Sequence, residues 1–362
     1  MQDTRPIVFS LDDVAWARAA AEALRLPIAR HEERRFEDGE HKCRPLENVR
    51  RRDVFILQSL HADATGSVND KLCRLLFFIG ALKDAAAASV TAVVPYLCYS
   101  RKDRKTQPGD PVTTRYVAAL FEAAGTDRIV TLDVHNIAAY QNAFRCRAEH
   151  LEAAGLFAAH FAGLLAGRQV AVVSPDAGGL KRAERFRKAL EASLGRPVAM
   201  ALAEKHRGGG VVRGDLLVGD VSGRCAIIVD DLISTGTTIV RTAVACRNLG
   251  ALSVHAAATH GLFVGEAGTL LADAAVTGIV VTDSVPSVRL PPGPARDKLT
   301  ILGTGRFFAE AIGCIHAGGR LDEVTGAGPL QPPPGDVPPA QGSAASASAT
   351  SGPTDSAPRA GG

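Results

Sequence analysis

IIVDDLISTGTTI, residues 227–239, compresses a strand, a turn and the start of a helix into thirteen residues. Ile227, Ile228 and Val229 run into the adjacent acids Asp230 and Asp231. Leu232 and Ile233 follow, then Ser234, Thr235, Gly236, Thr237 and Thr238, before the helical pattern IVRTAVACRNLG. An apolar run ending in acids reads as a strand of a parallel sheet covered on both faces, and ligands of such sheets bind beyond the carboxyl ends of the strands. Hydroxyls and a glycine at a helix start offer O–H and N–H donors to an anion, which the helix dipole favours. Two carboxylates would repel that anion at close range, so they address another part of the ligand: sugar hydroxyls or a metal. A sugar phosphate such as a ribose phosphate meets both requirements. A strand, a turn and a capped helix with no ligand would use the same residue types, because Ser and Thr cap helices widely.

Outward from this stretch, similar apolar runs recur at 52–59, 89–96, 128–135, 169–176 and 275–283, separated by amphipathic segments. The fold class is therefore α/β, with parallel sheets flanked by helices. Ser10 and Asp13 read as a capping box before VAWARAAAEAL, and Gly125 as the stop after VTTRYVAALFEAA. A strand ending in an acid or histidine occurs in each half, which suggests two similar domains dividing near residue 150. The last 37 residues, 326–362, hold eight of the twenty prolines, three charges and no aromatic residue, a composition expected to be a disordered tail.

The formal charge of +3, from 41 basic and 38 acidic residues, argues against a general nucleic-acid or membrane-surface binder, so any anion site is local. Seven scattered cysteines without a CxxC pair read as reduced core thiols. MQDTRPIVFS has no apolar signal region, and no apolar run reaches the ~18 residues needed to span a bilayer. The expectation is a cytoplasmic protein without a membrane segment.

Three further segments carry chemistry. PYLCYSRKDRK (95–105) places Arg101, Lys102, Arg104 and Lys105 around Asp103 directly after a strand, where a polyphosphate could bind; elsewhere such a run is a solvated face. His135 ends LDVH and Asp176 sits in SPDAGGLKRA. Alone, His135 reads more readily as a partly buried structural histidine than as a ligand. AEKHRGGGVVRGD (203–215) joins Lys205 and Arg207 to a glycine-rich, mobile composition.

The 230–238 run resembles the ribose-phosphate loop of phosphoribosyltransferases and of ribose-phosphate diphosphokinases, the PRPP synthetases. RKDRK is similar to the latter family's PYxxYxRxDRK segment, RFEDGE (35–40) to its FxDGE stretch, VNDKLCRLLFFIGALKDA (68–85) to its helix after VND, and SPDAGG with Lys205-x-Arg207 to its metal and catalytic-loop motifs. The likeness extends over residues 6 to about 318.

Membership would imply two phosphoribosyltransferase-type domains, 6–150 on the ATP side and 151–320 carrying the ribose 5-phosphate loop. It would also imply transfer of the β,γ-diphosphoryl group of ATP to the 1-hydroxyl of ribose 5-phosphate, giving PRPP for nucleotide biosynthesis and AMP. By the same resemblance Phe36, Asp38, Gly39, Glu40, Arg101, Lys102, Asp103 and Arg104 meet ATP. Arg207, Asp230, Asp231, Ser234, Thr235, Gly236, Thr237 and Thr238 meet the sugar phosphate, Lys205 and Arg207 are catalytic, and His135 and Asp176 are linked to Mg2+. Because the 36–40 stretch reaches ATP of a neighbouring subunit in the family, a homo-oligomer is implied, a dimer at least and a hexamer as the larger form.

The chain departs from the family at three places. Ser234 stands where the third Asp of DDxxDTxGT is usual, NIAAYQNAF (136–144) replaces a Gln-x-Gly-Phe-Phe run, and Gly303 occupies a position that carries a regulatory-site serine in many relatives. The alternatives are a phosphoribosyltransferase, which would need no second nucleotide site, and a catalytically silent regulatory subunit, which should have lost the Lys-x-Arg pair.

Overall fold

The computed structural model describes residues 5–204, 207–208, 211–212, 216–321 and 324. Lys205 and the 326–362 tail lie outside the described residues, and of Arg207 only the backbone is described.

The first segment contains β1 (Ile7–Ser10), α1 (Ala15–Ala23), β2 (His31–Arg35), β3 (His41–Pro45), β4 (Asp53–Leu57), α2 (Val68–Asp84), β5 (Ser89–Val94), α3 (Thr113–Ala123), β6 (Arg128–Leu132), α4 (Ile137–Ala143) and β7 (Arg147–Leu151). Then come α5 (Ala154–Leu164), β8 (Val170–Ser174), α6 (Leu180–Leu194), β9 (Ala199–Glu204), the two-residue strands β10 (Arg207–Gly208) and β11 (Val211–Val212), and β12 (Leu216–Val218). The chain continues through β13 (Cys225–Ile233), α7 (Thr237–Asn248), β14 (Ser253–Gly261), α8 (Ala267–Leu270), β15 (Gly278–Thr282), α9 (Pro294–Asp297), β16 (Leu299–Leu302) and α10 (Gly305–Ala317).

Two sheets result. One has the order β1-β4-β5-β6-β7 and is parallel throughout. The other has the order β12-β9-β8-β13-β14-β15-β16, parallel except where β12 pairs antiparallel with β9. β2 and β3 form a separate antiparallel ribbon. The central strands are buried along their length, as SVTAVV and VAVVS require when helices cover both faces.

Residues of both sheets share one apolar cluster. Val93, Val130 and Leu132 of the first sheet and Val172, Ile227 and Val229 of the second bury the inner faces of α1, α5, α6 and α10 between them. α10 follows the second sheet but packs on α1, beside the first: Trp16 and Phe308, both fully buried, have ring centroids 5.1 Å apart. The helices approach closely at Gly305, where an added Cβ would lie 2.4 Å from that of Ala19. The shared cluster brings the carboxyl ends of the two sheets to face each other.

Two helix ends differ from expectation. α1 begins at Ala15 with Val14 as an uncapped N-cap, and Ser10 instead donates to the Asp12 carbonyl at 2.6 Å, so the expected Ser10/Asp13 capping box is absent. A complete capping box occurs at α2, where Ser67 Oγ accepts from Asp70 N at 3.2 Å and Asp70 Oδ2 accepts from Ser67 N at 2.8 Å. Near α3, Gly125 adopts φ +94° just past the helix end, as expected.

The contact between α1 and α10 should dominate the stability of the shared cluster. Phe308→Ala is expected to cost about 3–5 kcal/mol, read as a lower urea midpoint at unchanged slope.

Candidate active site

β13 carries both acids within the sheet and ends at Ile233, two residues beyond the expected strand end. Asp231 is buried and Asp230 half-buried. Ser234 and Thr235 make the turn, and Gly236 takes φ +84° at the N-cap of α7. That backbone conformation and the side of Leu271, 2.9 Å from where a Cβ would sit, both demand glycine. No side chain caps α7, so the amides of its first turn and the hydroxyls of Thr235 and Thr237, 3.0 Å apart, are presented together at the helix start. Thr238 is half-buried just behind them.

The acids form a compact electrostatic group with two other elements. Arg182, from α6, lies with Nη1 3.4 Å from both Asp230 Oδ1 and Asp231 Oδ1. His135, beyond β6 in the other sheet, makes a 2.9 Å hydrogen bond from Nδ1 to Asp231 Oδ2, while Arg182 Nη2 donates to the His135 carbonyl at 3.3 Å. Burial and the like charge of Asp231 push the Asp230 carboxyl up. For Asp231 burial acts in the same direction, but the His135 hydrogen bond and the Arg182 charge outweigh it and hold the group below the usual carboxylate range. The hydrogen bond to Asp231 raises His135 against the opposing effect of burial. A cleft adjoins this group, lined in part by Asp133, Glu152, Arg182, Asp230 and Thr259.

The strand carrying His135 is fixed by a buried polar seam. Asp133 adopts φ +41° at the end of β6. Its Oδ2 accepts from Thr259 Oγ1 of β14 at 2.6 Å and from Ala153 N at 3.0 Å. His260, also on β14, lies 2.9 Å from the Leu132 carbonyl through Nε2 and 2.9 Å from Ser284 Oγ through Nδ1. Burial lowers its basicity, and because the Leu132 carbonyl can only accept, Nε2 donates to it.

The remaining expected residues occupy the rim or stand apart. Asp103 accepts from Asn136 Nδ2 at 2.6 Å, which ties the basic segment to the residue after His135. Lys102 is ion-paired with Asp110 at 2.6 Å, whereas Arg101 and Arg104 are exposed. Asp176, at the carboxyl end of β8, is exposed, and its Oδ1 accepts the Gly179 amide at 2.9 Å just before α6. Phe36, Asp38, Gly39 and Glu40 form the exposed turn of the β2–β3 ribbon: Phe36 N donates to the Glu40 carbonyl at 2.7 Å, Glu40 N to Asp38 Oδ1 at 3.0 Å, and Arg34 stacks 4.8 Å over the Phe36 ring.

Sequence reasoning singled out His135 and the acids but missed Arg182, Asp133, Thr259 and His260. Arg182 lies inside the quoted SPDAGGLKRA and Asp133 inside LDVH, yet neither spacing reveals which groups they meet. Thr259 and His260 belong to SVHAAATHG, an alanine-rich run that lacks a β-branched signature.

The chain is similar to known proteins over most of its length. Residues 7–125 match the family model for the N-terminal domain of ribose phosphate pyrophosphokinase, and residues 214–324 match that for the phosphoribosyl synthetase-associated domain. The chain is 40% identical over 309 residues to a ribose-phosphate pyrophosphokinase of Caldanaerobacter subterraneus subsp. tengcongensis, covering 85% of this chain and 93% of the relative. It is 37% identical over 303 residues to the Clostridium perfringens ribose-phosphate pyrophosphokinase, covering 83% and 91% of the two chains. The crystal structure of phosphoribosylpyrophosphate synthetase from Mycobacterium smegmatis superposes with a TM-score of 0.76 at 31% identity, covering 87% of this chain and all (100%) of that one.

Arg182 compensates two carboxyls that burial would otherwise isolate. Arg182→Met should cost about 3 kcal/mol in urea unfolding, and Asp230→Asn in the same chain should recover part of the loss.

Proposed function

The chain belongs to the ribose-phosphate pyrophosphokinase family, and from that premise we propose how its own residues divide the work of the reaction. The enzyme transfers the β,γ-diphosphoryl group of ATP to the 1-hydroxyl of ribose 5-phosphate and releases AMP. The observation that carries the assignment of roles is the pair Asp230/Asp231 set directly before an uncapped helix start, with His135 and Arg182 closing over the acids.

The 234–238 loop holds the 5-phosphate through its amides and hydroxyls, and Asp230 and Asp231 accept hydrogen bonds from the ribose hydroxyls. The acids then address the sugar while the helix start addresses the anion, so the two like charges are separated along one ligand. Arg101 and Arg104 bind ATP phosphates from the segment after β5. Lys102 acts there through its ion pair with Asp110, which shapes the same segment, and Asp103 links it to Asn136. Phe36, Asp38, Gly39 and Glu40 reach the adenine of ATP bound to a neighbouring copy, which makes the working unit at least a dimer, with a hexamer as the larger form. Lys205 and Arg207 neutralise charge on the group in transfer, the main requirement of phosphoryl transfer, and closure of their loop excludes water.

The residues suit magnesium. Asp176, Asp230 and Asp103 supply carboxylate oxygens at or near strand ends, and Asp230, pushed up by burial and like charge, is the carboxyl that a cation would return to its ionised form. Asp176 would hold the ion through oxygen, with His135 linked to it indirectly; when bound, magnesium supplies charge neutralisation for the phosphates. The sheet of residues 7–151 forms the ATP-side domain, 6–150, and the larger sheet the sugar-phosphate domain, 151–320. The enzyme works in the cytoplasm, and among the described residues no helix is long and apolar enough to cross a membrane.

With ATP, Mg2+ and ribose 5-phosphate the protein should form AMP and PRPP in equal amounts, and EDTA should abolish the reaction. Lys205→Ala should lower kcat by about 10³-fold or more, with binding of ribose 5-phosphate retained. Loss of sugar-phosphate binding in that variant, or undiminished turnover, would contradict the role assigned to the 205–215 loop.

A further inference from the structure

The β2–β3 ribbon has two faces of unlike chemistry. On the outer face Glu32 pairs with Lys42 at 3.3 Å and with Arg44 at 2.5 Å. The other face packs towards α2 and would ordinarily be apolar. Instead it carries His31 and Glu33 from β2 and His41 and Cys43 from β3, with Glu33 directly opposite Cys43 in the register. Of these Cys43 is buried, His31 and His41 are half-buried and Glu33 is exposed.

The donor atoms converge. His31 Nε2 lies 3.2 Å from Glu33 Oε1, Cys43 Sγ lies 3.9 Å from the same oxygen, and the three donor atoms all fall within 4.8 Å of one another. Aromatic rings hold both histidines in place: His31 lies 6.4 Å from Phe9 and 5.6 Å from Phe78, and His41 stacks on Phe77 at 5.7 Å. His41, next along the same face from Cys43, has a buried Nε2 with no hydrogen-bond partner. Arg74 approaches Glu33 only through the other oxygen, Oε2, at 3.5 Å, and its second amino group is engaged by Asp12. Oε1 is thus left to the convergent group.

We propose that His31, Glu33 and Cys43 form a binding site for a borderline-soft divalent cation of the zinc class. One nitrogen, one oxygen and one sulfur match a ligand set that zinc accepts and that magnesium, which prefers oxygen alone, does not. The site is therefore distinct from the magnesium of the reaction. Two ligands come from β2 and one from β3, so the cation cross-links the ribbon below the 36–40 turn. On binding, the cation takes the place of the Cys43 thiol proton, which leaves to solvent.

The test uses the full chain carrying Cys73→Ser, which removes the exposed thiol, stripped with EDTA and dialysed against zinc. One zinc per chain is expected, with affinity at least about tenfold weaker after Cys43→Ser and also weakened by His31→Gln, since even outer-shell changes at metal sites have effects of that size. Cobalt offered to the same protein should give a near-ultraviolet thiolate-to-metal charge-transfer band, a readout that needs no ribbon variant and no turnover. Absence of zinc uptake, uptake indifferent to Cys43→Ser, or a cobalt complex without the thiolate band would each overturn the proposal.

Discussion

Asp133 is held in a left-handed backbone conformation, φ +41°, that a non-glycine residue adopts only under constraint, at a typical cost of about 1–3 kcal/mol. The constraint comes from both sides of the molecule. Its amide donates to the Leu151 carbonyl at 2.9 Å, and its carboxylate accepts from Ala153 N and from Thr259 of the opposite sheet. The turn that results ends β6 and aims His135 at Asp231. His260 repeats the linkage one residue along β14, bonding the last carbonyl of β6. Without this seam the two sheets would share an apolar cluster but have no fixed register between their carboxyl ends.

That register makes the electrostatics of the site possible. Two adjacent carboxyls at a strand end repel each other, and burial raises the cost of ionising both. Arg182 from α6 and His135 from the far sheet relieve Asp231, leaving Asp230 as the carboxyl with the greatest demand for a cation or a hydrogen-bonding ligand. The helix start of α7, left without a side-chain cap, supplies the complementary preference for an anion a few residues away. One strand and its turn therefore present opposite preferences to the two ends of a sugar phosphate.

Much of this was legible in the sequence because it is local. The strand, the acid pair, the glycine and the hydroxyl run of 227–239 lie in one stretch, and the strands β4, β5, β6, β8, β13 and β15 announce themselves by β-branched residues. β14 escaped notice because Ala256, Ala257 and Ala258 carry no strand signal, although neighbouring strands bury them completely. Arg182 was hidden in LKRAERFRKALEASL, where alternating charges look like the solvated face of an amphipathic helix. The seam could not be read at all: Asp133 meets Thr259, and Leu132 meets His260, across more than a hundred residues of chain. The Ser10/Asp13 pairing failed because Ser10 belongs to β1 and turns its hydroxyl to Asp12, while α1 starts later.

The most direct test of this architecture is a double-mutant cycle on Asp133→Asn and Thr259→Val, with the free energy of unfolding of each protein measured in urea. If the seam holds the two sheets in register, the residues should couple by about 1–3 kcal/mol, as groups in direct contact do. Effects that add to within about 0.3 kcal/mol would show that the two sheets hold their register without this contact, and would contradict the account.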